Sequence, residues 1–164
     1  APPMHGCSTP GADKYAICKA IGADSRVGSK YIRPGYGFGG PCFPRDNRAL
    51  GGYGEMVGID ALLFKATDAY NKYHTNVQLE TELKENKDDY TFTGVAYKPS
   101  TKVPIIEESQ RLVIAVGLAK AGRKVTIRDY KDTINEVRKE YGKLFSYEVT
   151  RQRLGLLRVH LPGT

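Results

Sequence analysis

A helical first half followed by a small α/β unit is predicted from a change in hydrophobic pattern along the 164 residues. Up to about residue 85, apolar side chains recur every three or four positions, which is typical of amphipathic helices. Beyond it, short apolar runs alternate with helical stretches through short connections. Such strand–helix–strand units have parallel strands and right-handed crossovers, so we expect a small, doubly wound parallel sheet.

The composition limits the classes of protein that need to be considered. The chain is 40% hydrophobic and 26% charged, with a net charge of +7, as in an ordinary globular protein that meets an anionic partner. We expect no membrane partner, because no apolar run approaches the ~20 residues of a membrane span. The three cysteines are irregularly spaced, so neither a disulfide framework nor a metal site is expected, and free thiols favour a cytoplasmic location.

The first half divides into a tail, two helices, a loop and a short helix. Residues 1–12 are rich in proline and glycine and are expected to be a disordered, tag-like start. A helix should run from Asp13 to Gly22 with Cys18 in the core, and a short helix from Asp46 should break at the glycines near residue 51. A long helix capped by Asp60 should reach about Glu85. Its predicted apolar face is Leu62, Leu63, Ala66, Ala69, Tyr70, Tyr73 and Val77.

In the second half, strands and helices alternate. We predict strands over residues 90–97, 124–130 and 144–149, and helices over 107–122 and 133–141. The charged stretch Lys84–Asp89 is the predicted domain boundary. The resulting domains are 1–12 (tail), 13–86 (helical middle segment), 87–149 (α/β domain) and 150–164 (atypical basic tail). Without the tail arginines the net charge would fall to about +4, which argues against a nucleic-acid partner.

The loop over residues 23–44 is too rich in glycine and proline for a helix or central strand. Its segment GYGFGG matches the letters of the dinucleotide fingerprint GxGxxG, but that motif requires a buried strand before it and a helix after it. Pro34 and Pro41 flank the segment instead. Two interpretations stay open: the glycines serve a convoluted loop, or they let backbone N–H groups approach a ligand.

Cys42 is the best nucleophile candidate of the three cysteines. It stands at the end of the glycine-rich loop, before a helix start and near Arg45, and both features favour a thiolate. Asp46 follows four residues later and is able to position or deprotonate a water molecule. Asp129, at a strand end, could bind a ribose hydroxyl or be an exposed carboxylate.

The segment YIRPGYGFGGPCFPRD (Tyr31–Asp46), preceded by AIGADSRVG, strongly resembles the active-site segment of the UDP-glucose/GDP-mannose dehydrogenases. GVAYKPST (Gly94–Thr101), the Glu-Glu-Ser at 107–109 and the strand KVTIRDY resemble the family's nucleotide-sugar-binding domain. The resemblance covers about residues 13–149. It implies a helical middle segment that forms the dimer, then a truncated Rossmann-like domain.

The resemblance also implies a chemistry and roles for individual residues. These enzymes oxidise the C6 alcohol of a nucleotide sugar to a carboxylate in two NAD-dependent steps, the second through a cysteine thiohemiacetal and thioester. Cys42 is then the nucleophile and Asp46 the assisting carboxylate, while Arg45 stands near the cofactor. The implied substrate-binding residues are Arg26, Tyr31, Tyr36, Gly37, Phe38, Gly39 and Lys98.

Several features of the family pattern are missing from the sequence. The NAD-binding domain with its fingerprint and the catalytic Lys and Asn are not found, and Lys102–Ile106 replaces the usual acidic pair and Arg. We therefore expect a fragment that binds no NAD by itself and is inactive alone. A non-catalytic nucleotide-sugar-binding or dimerisation module, and one half of a split enzyme with a separate NAD-domain chain, are the alternatives.

Overall fold

The computed structural model describes residues 11–98 and 103–150, which divide into two compact units, one ending at Tyr36 and the other beginning at Gly37. Cys7 and the basic segment 151–164 lie outside the described residues. The elements, in chain order, are α1 (Lys14–Gly22), α2 (Phe43–Met56), α3 (Leu62–Lys84), β1 (Asp89–Thr93), α4 (Gln110–Lys120), β2 (Lys124–Asp129), α5 (Lys131–Tyr141) and β3 (Ser146–Val149). None of the described helices is long and apolar enough to cross a membrane.

The first unit contains α1 and the start of the glycine-rich loop. Asp13 is the N-cap of α1, because its Oδ1 accepts hydrogen bonds from the N–H groups of Tyr15 and Ala16 at 2.9 and 3.1 Å. The predicted helix over these residues is therefore present. Cys18, predicted as a core thiol, is only half-buried.

A parallel sheet with strand order β1-β2-β3 forms the centre of the second unit, as the alternation of strands and helices predicted. The face that carries Tyr90, Val125 and Ile127 is buried, and α4 and α5 pack on β2. Leu112, Leu118, Ile134 and Val137 of these helices complete the core. The fold is thus α/β with a Rossmann-like parallel sheet.

In the α/β part of this unit, two element boundaries differ from the prediction by three residues or more. The strand predicted to reach residue 97 ends at Thr93, because Gly94 adopts a left-handed φ of 70° and turns Val95 and Ala96 inward. The helix predicted from residue 107 begins at Gln110, since Glu108 has a φ of 48° that no right-handed helix contains. Ser109 caps the helix instead.

The helix α2 is continuous where the sequence predicted a break. It runs from Phe43 to Met56 through three glycines, each of which lowers helix propensity by about 1 kcal/mol. The compensation is close packing: Gly51 is buried against Phe64 of α3, and Gly54 lies against Ala61. The packing of α2 on α3 therefore overrides the intrinsic preference of the glycines.

One prediction for α3 was wrong, and its predicted apolar face is not buried in the described chain. Asp60 does not cap the helix, because Ala61 occupies the N-cap position and no side chain caps it. The predicted apolar face points outward: Leu62, Leu63 and Tyr70 are 67%, 80% and 61% exposed. The buried face instead carries the polar Asn71 and Thr75, because this side packs on the glycine-rich loop and on α4.

Candidate active site

Cys42 lies where the glycine-rich loop passes into α2, and its thiol is exposed. The residue is the N-cap of this 14-residue helix and makes no side-chain capping hydrogen bond. A helix N-terminus carries partial positive charge, so negative charge that develops on or near this sulfur is favoured. The position therefore suits attack on a carbonyl carbon that approaches from solvent.

Asp46 and Arg45 share the first turn of α2 with Cys42. The N–H of Asp46 donates to the Cys42 carbonyl at 2.8 Å, which places the two residues one turn apart on the same side of the helix. Arg45 donates from Nε to Asp46 Oδ1 at 2.9 Å, and both side chains stay mostly exposed. The hydrogen bond to Asp46 raises the pKa of the Arg45 guanidinium. The structure thus brings all three predicted residues together.

The glycines of the loop lie in close contact with other parts of the second unit. A Cβ at Gly39 would overlap the carbonyl oxygen of Glu108, and one at Gly40 would overlap the ring of Tyr97. The N–H of Gly40, whose φ is 88°, donates to the Glu107 carbonyl at 3.0 Å. The close approach that these two glycines permit is therefore to the α/β part of the chain itself.

Asn71 is a site residue that the sequence reasoning missed. Its Oδ1 accepts from the Phe38 N–H at 3.0 Å, and its Nδ2 donates to the Phe38 carbonyl at 2.8 Å. A Cβ at Gly37 would overlap the same carboxamide. The side chain is buried in the middle of α3, where a lone polar residue in a polar sequence gives no signal of a contact 33 positions away.

Arg48 is the second residue that the sequence did not indicate. It lies two residues after Asp46 on α2, donates to Asp68 of α3 at 3.1 Å and forms an ion pair with Glu108 before α4. A hydrogen bond from Lys72, and then the one from Arg48, lower the pKa of Asp68. The Arg48 guanidinium thus links three parts of the second unit beside the candidate nucleophile.

Lys98 follows the turn after β1 and is exposed. Its ammonium lies 5.5 Å from the ring centroid of Tyr97, the ring against which Gly40 packs. The segment that carries Lys98 and the glycine-rich loop are therefore neighbours. Pro99–Lys102, which continue the segment, lie outside the described residues.

Arg26, Tyr31 and Tyr36 belong to the first unit. The guanidinium of Arg26 is bound by Asp24, with Nη2 and Oδ2 2.6 Å apart, and this contact lowers the pKa of Asp24. Tyr31 is 93% exposed and Tyr36 is half-buried. Their predicted contacts with a substrate stay predictions.

Asp129 is neither an exposed carboxylate nor a free ligand for ribose. It is 1% exposed at the end of β2, and its two oxygens accept from the N–H groups of Val95 at 2.6 Å and Tyr130 at 2.7 Å. Burial raises the pKa of this carboxyl group, and the backbone hydrogen bonds partly oppose that shift. Asp129 therefore fixes the turn that leads to Lys98.

The described residues contain no group of three or more His, Cys, Asp or Glu side chains that could hold a metal ion. A cavity of about 570 Å³ lies between the loop at Gly37–Phe38 and the exposed apolar side of α3. Fold and loop together define the class: an α/β protein of Rossmann-like topology with an exposed thiol on a glycine-rich loop.

Comparison with known proteins narrows this class. Residues 4–73 match the central domain of the UDP-glucose/GDP-mannose dehydrogenase family. A UDP-glucose 6-dehydrogenase of Pseudomonas aeruginosa is 32% identical over 128 residues, which are 75% of this chain and 28% of the relative. The UDP-glucose 6-dehydrogenase AglM of Haloferax volcanii is 31% identical and is matched over 79% of this chain and 30% of its own length.

Solved structures agree with the sequence comparison. A UDP-glucose dehydrogenase from Pyrobaculum islandicum superposes with a TM-score of 0.75 at 30% identity, covering 88% of this chain and 34% of that one. The fold is also shared with a GDP-mannose dehydrogenase, with a TM-score of 0.63 at 21% identity. The chain belongs to the UDP-glucose/GDP-mannose dehydrogenase family and spans about a third or less of the relatives compared.

Proposed function

We propose that this chain carries the covalent-catalysis segment of a nucleotide-sugar 6-dehydrogenase of the UDP-glucose type. The observation that carries the proposal is the exposed Cys42 thiol at the N-cap of α2, with Asp46 one turn further on. A thiol in this position is open to a sugar aldehyde from solvent and has a carboxylate nearby for water. The names of the relatives supply the substrate class.

Oxidation of an aldehyde to a carboxylate needs a nucleophile. The aldehyde carbon releases hydride readily only after a nucleophile has added to it and formed a tetrahedral adduct. Cys42 sulfur adds to the C6 aldehyde carbon, and the carbonyl oxygen takes a proton to give a thiohemiacetal. Oxidation of the thiohemiacetal to a thioester would remove a hydride from C6 and the proton of the hydroxyl group, and it needs a hydride acceptor that the described residues do not hold. Water then attacks the thioester carbon, the C–S bond breaks, and a carboxylate and the Cys42 thiol result.

Asp46 assists the water in the last step. Its carboxylate is 63% exposed and is held by Arg45, so water reaches it while the carboxylate keeps one orientation. A carboxylate so placed takes a proton from the attacking water. Arg45 in turn carries the positive charge that the resemblance places near the cofactor.

The nucleotide sugar is held by residues on either side of the thiol. Lys98, exposed beside the Tyr97 ring, supplies a positive charge for the nucleotide phosphates. Gly37, Phe38 and Gly39, together with Tyr36 and Tyr31, would line the sugar, and Arg26 would reach the substrate of a second subunit. These assignments rest on the family resemblance and on the neighbouring positions of the loop and Lys98.

The described residues do not fit NAD. The segment Gly35–Gly40 connects coil to coil, and its Phe38 and Gly40 N–H groups bond to Asn71 and Glu107 rather than facing a free helix N-terminus. In a complete enzyme, NAD would supply the acceptor for the two hydrides. We therefore propose that this chain alone binds no NAD and produces no NADH with UDP-glucose.

A homodimer is the proposed assembly. The outward side of α3 presents Leu62, Leu63 and Tyr70, and nearby Tyr53 and Met56 of α2 are 61% and 85% exposed. Contiguous apolar surface of this kind marks an interaction site. The resemblance identifies the middle segment as the dimer-forming part, so a second copy is the proposed occupant.

Calorimetric titration with UDP-glucose tests the proposal. We expect the chain to release heat on binding and Lys98→Ala to weaken binding about tenfold or more, the effect of losing a charge-assisted phosphate contact. Lys120→Ala, a lysine of α4 remote from the loop in sequence, is the matched control and should bind as the parent does. No heat from the parent chain would contradict nucleotide-sugar binding.

The redox part is tested separately. Purified chain with UDP-glucose and NAD should form no NADH, whereas a UDP-sugar aldehyde labelled with ¹³C at C6 should add to Cys42 and be detected by NMR as an increase in a thiohemiacetal carbon signal. Cys42→Ser should lack the increase. One half of a split enzyme, the alternative proposal, predicts NADH formation once a separate NAD-domain chain is supplied.

A further inference from the structure

The carboxamide of Asn71 binds a single residue of the glycine-rich loop, Phe38, through two hydrogen bonds. It accepts from the Phe38 N–H at 3.0 Å and donates to the Phe38 carbonyl at 2.8 Å, so it engages both peptide groups of one residue, as a neighbouring strand would. Asn71 is 8% exposed, and both bonds are largely withdrawn from water. Such bonds are costly to break, because the partners left behind are buried polar groups.

The chemistry of this contact requires an amide of the length of asparagine. A carboxylate lacks the N–H donor and would oppose the Phe38 carbonyl with a second negative oxygen. Leucine has a similar shape but offers neither partner. Asparagine has a low helix propensity. Its place in the middle of α3 is thus explained by its hydrogen bonds to the loop and not by helix formation.

The same helix holds the chain on the other side of Cys42. Asn47, five residues after the thiol, donates from Nδ2 to the Phe64 carbonyl of α3 at 2.9 Å, and Arg48 donates to Asp68 of α3 at 3.1 Å. Upstream, Asn71 fixes Phe38, four residues before the thiol. Cys42 therefore lies in a segment whose two ends are both tied to α3.

The contact at Phe38 also sets the path between it and the thiol. Gly39 packs on the Glu108 carbonyl, and the Gly40 N–H donates to Glu107 at 3.0 Å. Consecutive residues of the segment that leads to Cys42 are therefore each held by a contact: Phe38 by Asn71, Gly39 by Glu108 and Gly40 by Glu107.

We infer that Asn71 is a positioning residue: it orders the glycine-rich loop from the buried side of α3 and thereby orients the Cys42 thiol. The inference rests on the proposed function for the role of Cys42, but the contact itself is independent of any substrate. Among the described residues, the Asn71 carboxamide bonds to Phe38 of the loop, and the proposed reacting groups belong to Cys42 and Asp46.

The test measures loop order and thiol mobility and not turnover. In a Cys7→Ser/Cys18→Ser background, a nitroxide label on Cys42 reports mobility by electron paramagnetic resonance, and amide hydrogen exchange reports Phe38 and Gly40. Asn71→Leu and Asn71→Asp are compared with Asn76→Leu and Asn76→Asp, which alter an exposed asparagine of the same helix.

We expect Asn71→Leu to speed Phe38 and Gly40 exchange about fivefold to tenfold, the factor for one lost hydrogen bond, and to make the Cys42 label more mobile. Exchange at Ile114 and Ile127 in the core should change far less. Asn71→Asp should also free the label, since it keeps the shape of asparagine but loses the donor. Both Asn76 variants should match the parent.

Three outcomes would overturn the inference. An unchanged label in a folded Asn71→Leu or Asn71→Asp protein would show that the loop is ordered without the carboxamide. A uniform rise in exchange over the core and the loop would assign Asn71 to global stability. If neither variant folds, amide hydrogen exchange in the parent chain tests the contact. A Phe38 amide that exchanges as fast as an exposed loop amide would refute it. Failure of UDP-glucose binding affects none of these measurements.

Discussion

At the residue scale, Asp129 is a buried carboxylate that orders the turn leading to Lys98, a candidate binding residue. Its oxygens hold the N–H groups of Val95 and Tyr130, and the segment from Val95 leads directly to Lys98. Burial raises the pKa of the carboxyl group, so the ionised form is disfavoured in the folded chain relative to the unfolded chain. The cost is tolerated because the backbone N–H groups need an acceptor there.

Asp129→Asn should destabilise the fold by about 1–3 kcal/mol at pH 7, since one backbone N–H would face an NH₂ group. Because the pKa of Asp129 is higher in the folded than in the unfolded chain, protonation of its carboxyl group stabilises the fold. This stabilisation is complete below the unfolded pKa and is lost as pH rises through the folded pKa. The variant lacks this pH-dependent stabilisation. Its free energy of unfolding should therefore fall further below that of the parent as pH falls from 7 towards 4.

Urea unfolding at several pH values measures this deficit. Asp88→Asn, which changes a carboxylate that is 94% exposed, is the matched control and should stay within about 0.5 kcal/mol of the parent. Equal stability of Asp129→Asn and the parent at all pH values would show that the hydrogen bonds of Asp129 contribute nothing.

At the element scale, α2 shows which parts of the fold local sequence patterns predict and which parts they do not. The strands, the loop and α1 follow from periodicity, glycine, proline and a capping aspartate, all of which act over a few residues. The continuation of α2 past Gly51, the outward face of α3 and the roles of Asn71 and Arg48 depend on contacts between residues far apart in sequence. No local pattern contains that information.

Two glycines of α2 form a matched pair that tests whether packing on α3 explains the unbroken helix. A Cβ at Gly52 would meet nothing within 4 Å, so Gly52→Ala should raise the free energy of unfolding by about 0.5–1 kcal/mol through helix propensity. A Cβ at Gly51 would lie 3.1 Å from the Phe64 Cβ, and the strain should cancel that gain in Gly51→Ala.

Chemical denaturation of both variants compares the two positions directly. Gly51→Ala should unfold at a lower urea concentration than Gly52→Ala, with circular dichroism unchanged. An equal gain in both would mean that α2 and α3 do not pack as closely as the structure shows, and the explanation for the unbroken helix would fail.

At the scale of the whole molecule, the sequence predicted the grouping of the candidate catalytic residues better than it predicted the surface that α3 exposes. Cys42, Arg45 and Asp46 were predicted as one group, and the structure places them on one helical turn. The apolar face of α3 was predicted from periodicity, which reports which side of a helix is apolar and not what covers it. The exposure of this face makes its residues a candidate interface with a second copy.

The dimer proposal makes Leu63 a decisive position, because its side chain is 80% exposed in the described chain and would be covered in a dimer. Burying a leucine contributes about 1.5–3 kcal/mol, and a two-fold interface counts the residue twice, so Leu63→Lys should raise the dimer Kd by about two orders of magnitude or more. Val113→Lys, which changes a 46%-exposed valine of α4, should leave Kd unaltered. Sedimentation equilibrium measures both. A monomeric parent at micromolar concentration, or equal dissociation of the two variants, would show that this face is not the dimer interface.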